Sequence, residues 1–410
     1  VAQNYSPRKS TLWALIIMAG LTLVFYRHYL LHPGSLYARV ARDFWPIYQT
    51  WPYFELSKRI FAGGHFPLWN PLNACGTPLL GNFQAAPFHP ARLLLFLFPF
   101  WSVIDIWLLL RVLLSGMGTY LFMRKRGVGW QGAMIAALAW MFSGSVTEYI
   151  NMHYLDIDLL LPFGLLAFDW MARSRKIAPV ITSALIIFLA FLGGNPTSAL
   201  YFLIFISLYY FYRTFMLQDG WRDSLARFVI AACLSALVSA IVLLPFREFL
   251  SFSWDYHPKG FWNVGLPPIS VLSVLGPWIL PYNSPALPLV QQLPYIGATV
   301  IVLAFPSIFF IRRIKSEMTY FCVFAVAFTG LIWCINPFYL LSRLPIFDRS
   351  ANFRYAMPEV AYAVALLAGL SWDHLAKTKE RIWKLLIFPI GISVISLFLV
   401  IADKLGVLSV

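Results

Sequence analysis

Charge is what this sequence lacks most. Only 12% of its 410 residues are Asp, Glu, Lys or Arg, against roughly 25% in a water-soluble domain. So few charges cannot coat a soluble fold of this size, whereas a content of 60% hydrophobic and 18% aromatic residues suits a surface that faces lipid. Acidic residues are the scarcer sign, 17 against 31 basic ones. A nucleic-acid binder gathers such an excess on one face or arm. Here the basic residues fall in small clusters between apolar stretches, so no nucleic-acid partner is expected. Cysteine is also scarce: Cys75, Cys233, Cys322 and Cys334 fit neither a metal-ligand spacing nor a disulfide framework. Cys233 and Cys322 lie inside apolar runs and read as small core residues. No internal repeat, low-complexity tract or compact metal motif such as HExxH is visible.

Long apolar runs are what the chain has instead. A bilayer core takes about 20 mostly apolar residues per helix. Eleven stretches qualify: 11–31, 100–123, 129–149, 154–172, 177–194, 196–213, 226–247, 294–311, 318–335, 354–372 and 383–402. The first is too long for a signal-peptide core and reads as a retained helix. The shorter run 88–98 reads as interfacial, and 266–290, broken by six prolines, as re-entrant or surface-packed. The expected fold is therefore an all-α polytopic membrane protein of about eleven spans, one membrane domain over 1–410.

Basic residues set the expected orientation. With the N terminus cytoplasmic, eighteen of the 31 Lys and Arg fall on short inside segments, as at Arg124–Lys125–Arg126 and Arg173, Arg175 and Lys176. The C terminus is then external, as are two long segments, 32–99 and 248–293. Their Pro, Gly, Trp, Asn and His content predicts ordered loops carrying short interfacial helices.

The first of these loops holds Asp43, between Arg39 and Arg42 on one side and Phe44-Trp45-Pro46 on the other. Two readings fit it. An acid beside cations stays ionised and can take a proton from an acceptor hydroxyl. Asp before Trp45-Pro46 is equally a helix N-cap. Farther on, Gly63-Gly64-His65-Phe66-Pro67-Leu68-Trp69-Asn70-Pro71 continues through Cys75-Gly76-Thr77-Pro78 to Asn82-Phe83-Gln84 and Phe88-His89-Pro90.

A helix, an acid in the first external loop and this "PLWNP…G.P…N.Q…F.P" run resemble the YfhO family of bacterial membrane proteins, which is grouped with the GT-C glycosyltransferases. Further echoes are Gly193-Gly194-Asn195-Pro196-Thr197, Leu244-Pro245 with Glu248, and Arg349 with Arg354. The resemblance implies a GT-C-like fold and transfer of a sugar from a polyprenyl-phosphate carrier to a cell-envelope acceptor on the outer face. It makes Asp43 the catalytic acid-base group. His65, Trp69, Asn70, Asn82 and Gln84 are then structural members of the motif. Many GT-C enzymes carry two acids here; this chain has one.

Such chemistry needs a cationic clamp on the leaving phosphate, for which guanidinium forks are suited. Arg349, Arg354, Arg247 and Lys259 are the candidates, with interfacial snorkelling or pairing to Asp348 as the plainer alternative for the first two. Glu148, His153, Asp156 and Asp158 form a second polar group around the turn between spans three and four. They read either as acceptor-positioning groups or as caps in a hydrated loop. Asn195 and Asn352 join the candidates for sugar or acceptor hydroxyls. No cofactor is expected, a monophosphate being neutralised by arginine alone; a divalent cation held by Asp43 with these carboxylates is the variant. Arg111 lies mid-span, six residues after Asp105, and 600° of helical turn keeps the two off one face. A buried structural pair with another element is expected for it. The competing function classes are a transporter or lipid flippase, which places charges and broken helices at the midplane, and a non-catalytic scaffold of an envelope-synthesis complex.

Overall fold

The computed structural model describes residues 7–39, 45–253, 270, 273–275, 295–310, 317–344, 347–378 and 391. These are mostly helical. In chain order come α1 (Pro7–Tyr26), α2 (Ser35–Arg39), α3 (Trp51–Ala62), α4 (Pro90–Leu95), α5 (Phe100–Lys125), α6 (Trp130–Met141) and α7 (Gly144–Thr147). There follow α8 (Leu155–Asp158), α9 (Leu161–Arg173), α10 (Ile177–Leu192), α11 (Pro196–Met216) and α12 (Trp221–Phe252). The later helices are α13 (Ala298–Ala304), α14 (Ser307–Phe310), α15 (Glu317–Ile332), α16 (Asn352–Tyr355) and α17 (Met357–Thr378).

Three of these helices, α5, α11 and α12, are long and apolar enough to cross a membrane. Shorter apolar helices lie at Ser10–Tyr26, Ile177–Leu192, Ala298–Phe309 and Thr319–Ile332. Their outward faces carry Leu12, Val24, Leu237, Val238 and Leu244, each half exposed or more. Apolar stripes of that kind, repeated from helix to helix, are stable against lipid tails and not against water.

Several expected single spans are interrupted. The 129–149 stretch breaks after α6, where Phe142 caps the helix and the Gly144 amide donates to the Tyr295 carbonyl at 2.7 Å. The 154–172 stretch divides into α8 and α9, because Pro162 opens a new helix at its first turn. The 294–311 stretch divides at Phe305-Pro306. Conversely α12 runs unbroken through Pro245. Cys322 is buried as expected, but Cys233 is exposed: only 22% of the apolar window of α12 is covered by the rest of the chain. The 383–402 span and most of 266–290 lie outside the described residues.

The chain divides into two compact units, residues 1–118 with 148–257, and residues 119–147 with 258–410; α5 runs from one into the other. In the first, α10 packs on α9 and α12, and α9 on α11. Gly164 permits the last contact, since a Cβ there would lie 2.8 Å from the Ile206 side chain. The basic clusters read from the sequence as loop anchors also bind neighbouring helices together. Asp169 of α9 accepts from Arg213 at 3.1 Å and pairs with Arg173 at 2.9 Å. Arg227 of α12 grips Asp219 and donates to the carbonyls of Met171 and Ser174, both at 3.0 Å.

In the second unit α17 packs against α6, α13 and α15. Gly132 and Gly369 let α6 and α17 approach backbone to backbone; a Cβ on Gly132 would lie 2.6 Å from the Gly369 carbonyl. Trp140 stacks edge-on to Tyr362, both fully buried.

Candidate functional site

The long first loop is ordered by its own side chains. Trp69–Asn70 pairs antiparallel with Thr77–Pro78, in the register Trp69 to Pro78. Gly76, at φ +107°, closes this hairpin under the Trp69 indole, where any Cβ would collide. Asn70 accepts from the Leu72 amide at 2.9 Å. Asn82 accepts from the Gln84 amide at 3.2 Å and donates to Tyr53 at 3.0 Å. Gln84 accepts from the Trp45 indole at 3.3 Å. His65 is exposed. The motif thus folds the loop onto α3 and α4.

Beneath that loop, within the first unit, lies a partly open cavity of about 40 Å³. Tyr37, Thr50, Arg92, Arg111, His153 and Asp156 supply its polar walls, and Phe54, Phe100, Trp107 and Leu108 its apolar ones. Arg111, on α5, donates to Asp156 at 2.6 Å, to the Met152 carbonyl at 3.2 Å and also to the Ile150 carbonyl. Arg92, on α4, donates to the Ala85 carbonyl. Both arginines are 6% exposed as whole residues. His89 approaches Asp156 at 3.8 Å.

His153 Nε2 lies 3.2 Å from the Gly194 carbonyl, which can only accept, so the proton sits on Nε2. Nδ1 then accepts from the Thr50 hydroxyl at 3.3 Å. Burial pushes the His153 imidazole down to about 3, helped by the Arg92 charge. Burial likewise holds His89 below its ordinary value, against the pull of Asp156. Both rings are neutral at pH 7, so among the described residues the charged groups lining the cavity are Arg92, Arg111 and Asp156.

The expected residues are thus divided. His153 and Asp156 share the cavity. Glu148 is half-buried and off its walls; Asp158 is 1% exposed, also off the walls, with Oδ1 lacking a hydrogen-bond partner. Asn195 caps α11, its Oδ1 accepting from Thr197 and Ser198 at 3.0 and 2.9 Å. Arg247 is exposed on α12. In the second unit Asn352 is buried and donates to the Phe347 carbonyl at 3.2 Å, while Arg354 lies 5.7 Å from the Tyr355 ring. Asp43, Lys259 and the Arg349 side chain lie outside the described residues. Among the described residues no group of three His, Cys, Asp or Glu is placed to hold a metal ion.

Arg92, His89, Tyr37 and Thr50 are site residues that the sequence reading passed over. The signal for Arg92 was present, a single cation inside the otherwise apolar run 88–98. As for Arg111, the expected buried pair exists, and Asp105 turns away to accept the amides of Leu36 and Tyr37 at 3.2 and 3.0 Å.

Lipid-facing helices around a buried charged cavity define a helical integral membrane protein. No curated protein matches the chain. The family described as "Bacterial membrane protein YfhO" matches residues 82–406, and the chain belongs to that family. The matched region takes in Asn82, Gln84 and the cavity residues Arg92, Arg111, His153 and Asp156, and begins after Asp43, His65, Trp69 and Asn70.

Proposed function

We propose that this protein is a GT-C type glycosyltransferase with about eleven spans, its N terminus cytoplasmic and its active site external. It moves a sugar from a polyprenyl-phosphate donor to a cell-envelope polymer, glycolipid or protein. The observation that carries the reading is local: Tyr37 and Thr50, on either side of Asp43 in the chain, both line the cavity that holds Arg92 and Arg111. Asp43 acts as general base, taking the proton of the acceptor hydroxyl while its oxygen bonds to the anomeric carbon. The bond from that carbon to the phosphate oxygen breaks, and the electron pair leaves with the phosphate. Charge grows on that leaving oxygen in the transition state, so fixed cations facing it lower the barrier. Arg247, Lys259, Arg349 and Arg354 remain the external cations assigned to the donor from the sequence. Glu148, Asp158, Asn195 and Asn352 remain assigned to sugar or acceptor.

The test is sugar transfer by the purified protein in lipid, with labelled polyprenyl-phosphate sugars and a membrane extract as acceptor. Wild type should transfer, and a folded Asp43→Asn variant should lose about 10²-fold or more, the usual contribution of a positioned base. Transfer that survives the substitution moves the base elsewhere. A folded wild type that consumes no donor ends the transferase reading in favour of a transporter, flippase or scaffold.

A further inference from the structure

We infer that Arg92, together with Arg111, forms an oxyanion site for a phosphomonoester, and that this cavity takes the phosphate of the carrier lipid. The inference rests on the transferase reading for the choice of carrier only; the site itself follows from charge, donors and volume.

Charge comes first. Among the described residues, two guanidiniums and one carboxylate, Asp156, line the cavity. A buried cation without a counter-charge is costly in apolar surroundings. Asp156 is engaged by Arg111 through a short, direct pair, and among the described residues Arg92 forms no ion pair of its own.

Donor geometry points the same way. A guanidinium carries five N–H groups. Arg111 spends its terminal nitrogens on Asp156 and on the carbonyls of Ile150 and Met152. Arg92 has one partner, the Ala85 carbonyl. Arg92 lines the cavity with donors to spare, the arrangement that suits an oxyanion with several acceptor oxygens.

Volume is compatible with such a ligand. About 40 Å³ is room for roughly three water molecules. A space of that size is in keeping with a small oxyanion at its inner end. The opening of the cavity leaves the ester substituent outside.

The test is binding by the full chain in phosphatidylcholine nanodiscs. Polyprenyl phosphate is titrated against wild type, Arg92→Gln and Arg92→Lys, with polyprenol as the uncharged control and inorganic phosphate as competitor. Polyprenyl phosphate should bind and polyprenol should not. Arg92→Gln should weaken binding about 10- to 100-fold, as expected for loss of a charged hydrogen bond, and Arg92→Lys should recover part of it. Displacement by inorganic phosphate assigns the site to the free oxyanion, and resistance to displacement assigns it to the lipid head group. Equal binding of polyprenol and its phosphate, or affinity untouched in Arg92→Gln, overturns the inference. Because Arg92 also holds the Ala85 carbonyl, its variants can fail to fold. A structure of wild type with polyprenyl phosphate bound is therefore the second measurement, and phosphate density away from Arg92 is equally fatal. Arg92-dependent binding without sugar transfer removes the transferase reading and keeps the site; transfer with binding indifferent to Arg92 does the reverse.

Discussion

Arg111 and Asp156 form an ion pair 2.6 Å long although 45 residues separate them in the chain. The pair joins the middle of α5 to the short helix α8, with side chains only 6% and 11% exposed. Breaking a buried pair from one side is costly, because the remaining charge keeps its desolvation penalty and loses its partner. Arg111→Met should therefore destabilise the protein by about 3–5 kcal/mol. The double substitution Arg111→Met with Asp156→Leu should cost clearly less than the sum of the two single changes. Unfolding in detergent across this cycle measures the coupling, and strictly additive losses would refute it.

Acid should weaken the fold through His153. Its imidazole falls from an ordinary value of 6.5 to about 3 in the folded chain. Between those values the unfolded chain holds more protons than the folded one, so stability rises with pH there. The contribution is complete above about pH 6.5 and is lost progressively as pH falls toward 3. Melting temperature should thus drop from pH 7 to pH 4, and His153→Gln should flatten that slope. An equally steep slope in the variant would assign the acid sensitivity to other groups, His89 first.

Two glycines separate backbone strain from close approach. Gly194, at φ +86°, sits where a Cβ would lie 2.9 Å from His153 Cδ2 and 3.0 Å from the Ala86 Cβ. Gly64, at φ +75°, has nothing within 4 Å of the same position. Gly64→Ala should cost only the left-handed backbone term, about 1 kcal/mol. Gly194→Ala should cost about 1–3 kcal/mol more, through overpacking against His153. It should also disturb the Thr50–His153 hydrogen bond, readable as a shift of the imidazole resonance. Equal losses at the two sites would mean that the His153 contact yields freely.

Much of this was legible in the sequence because it is local. Helix length and hydropathy are properties of neighbouring residues, so the membrane class followed directly, as did α5, α10, α11, α12, α15 and α17 to within several residues. The 600° between Asp105 and Arg111 rules out a shared face from spacing alone. The spacing of Asn, Pro and Gly flagged the 63–90 run, which folds as a hairpin with its own caps. Positions such as Pro162 and Pro306 carried the signal that two expected spans are divided, although hydropathy alone merged the pieces.

Which charges meet was not legible. Asp156, Arg92 and His89 stand on α8, on α4 and just before it, segments that hydropathy marks only as ends and interruptions, and Arg111 sits inside a span with no local partner. The folding of the first loop against α5 brings them to one site, and helix packing such as that at Gly164 fixes the frame. Local sequence therefore determined that this is a membrane-embedded helical chain with few, costly charges. Only the tertiary structure decided that Arg92 and Arg111 share a cavity with Asp156, because the enclosure that makes a charge costly also selects its partner across long separations in the chain.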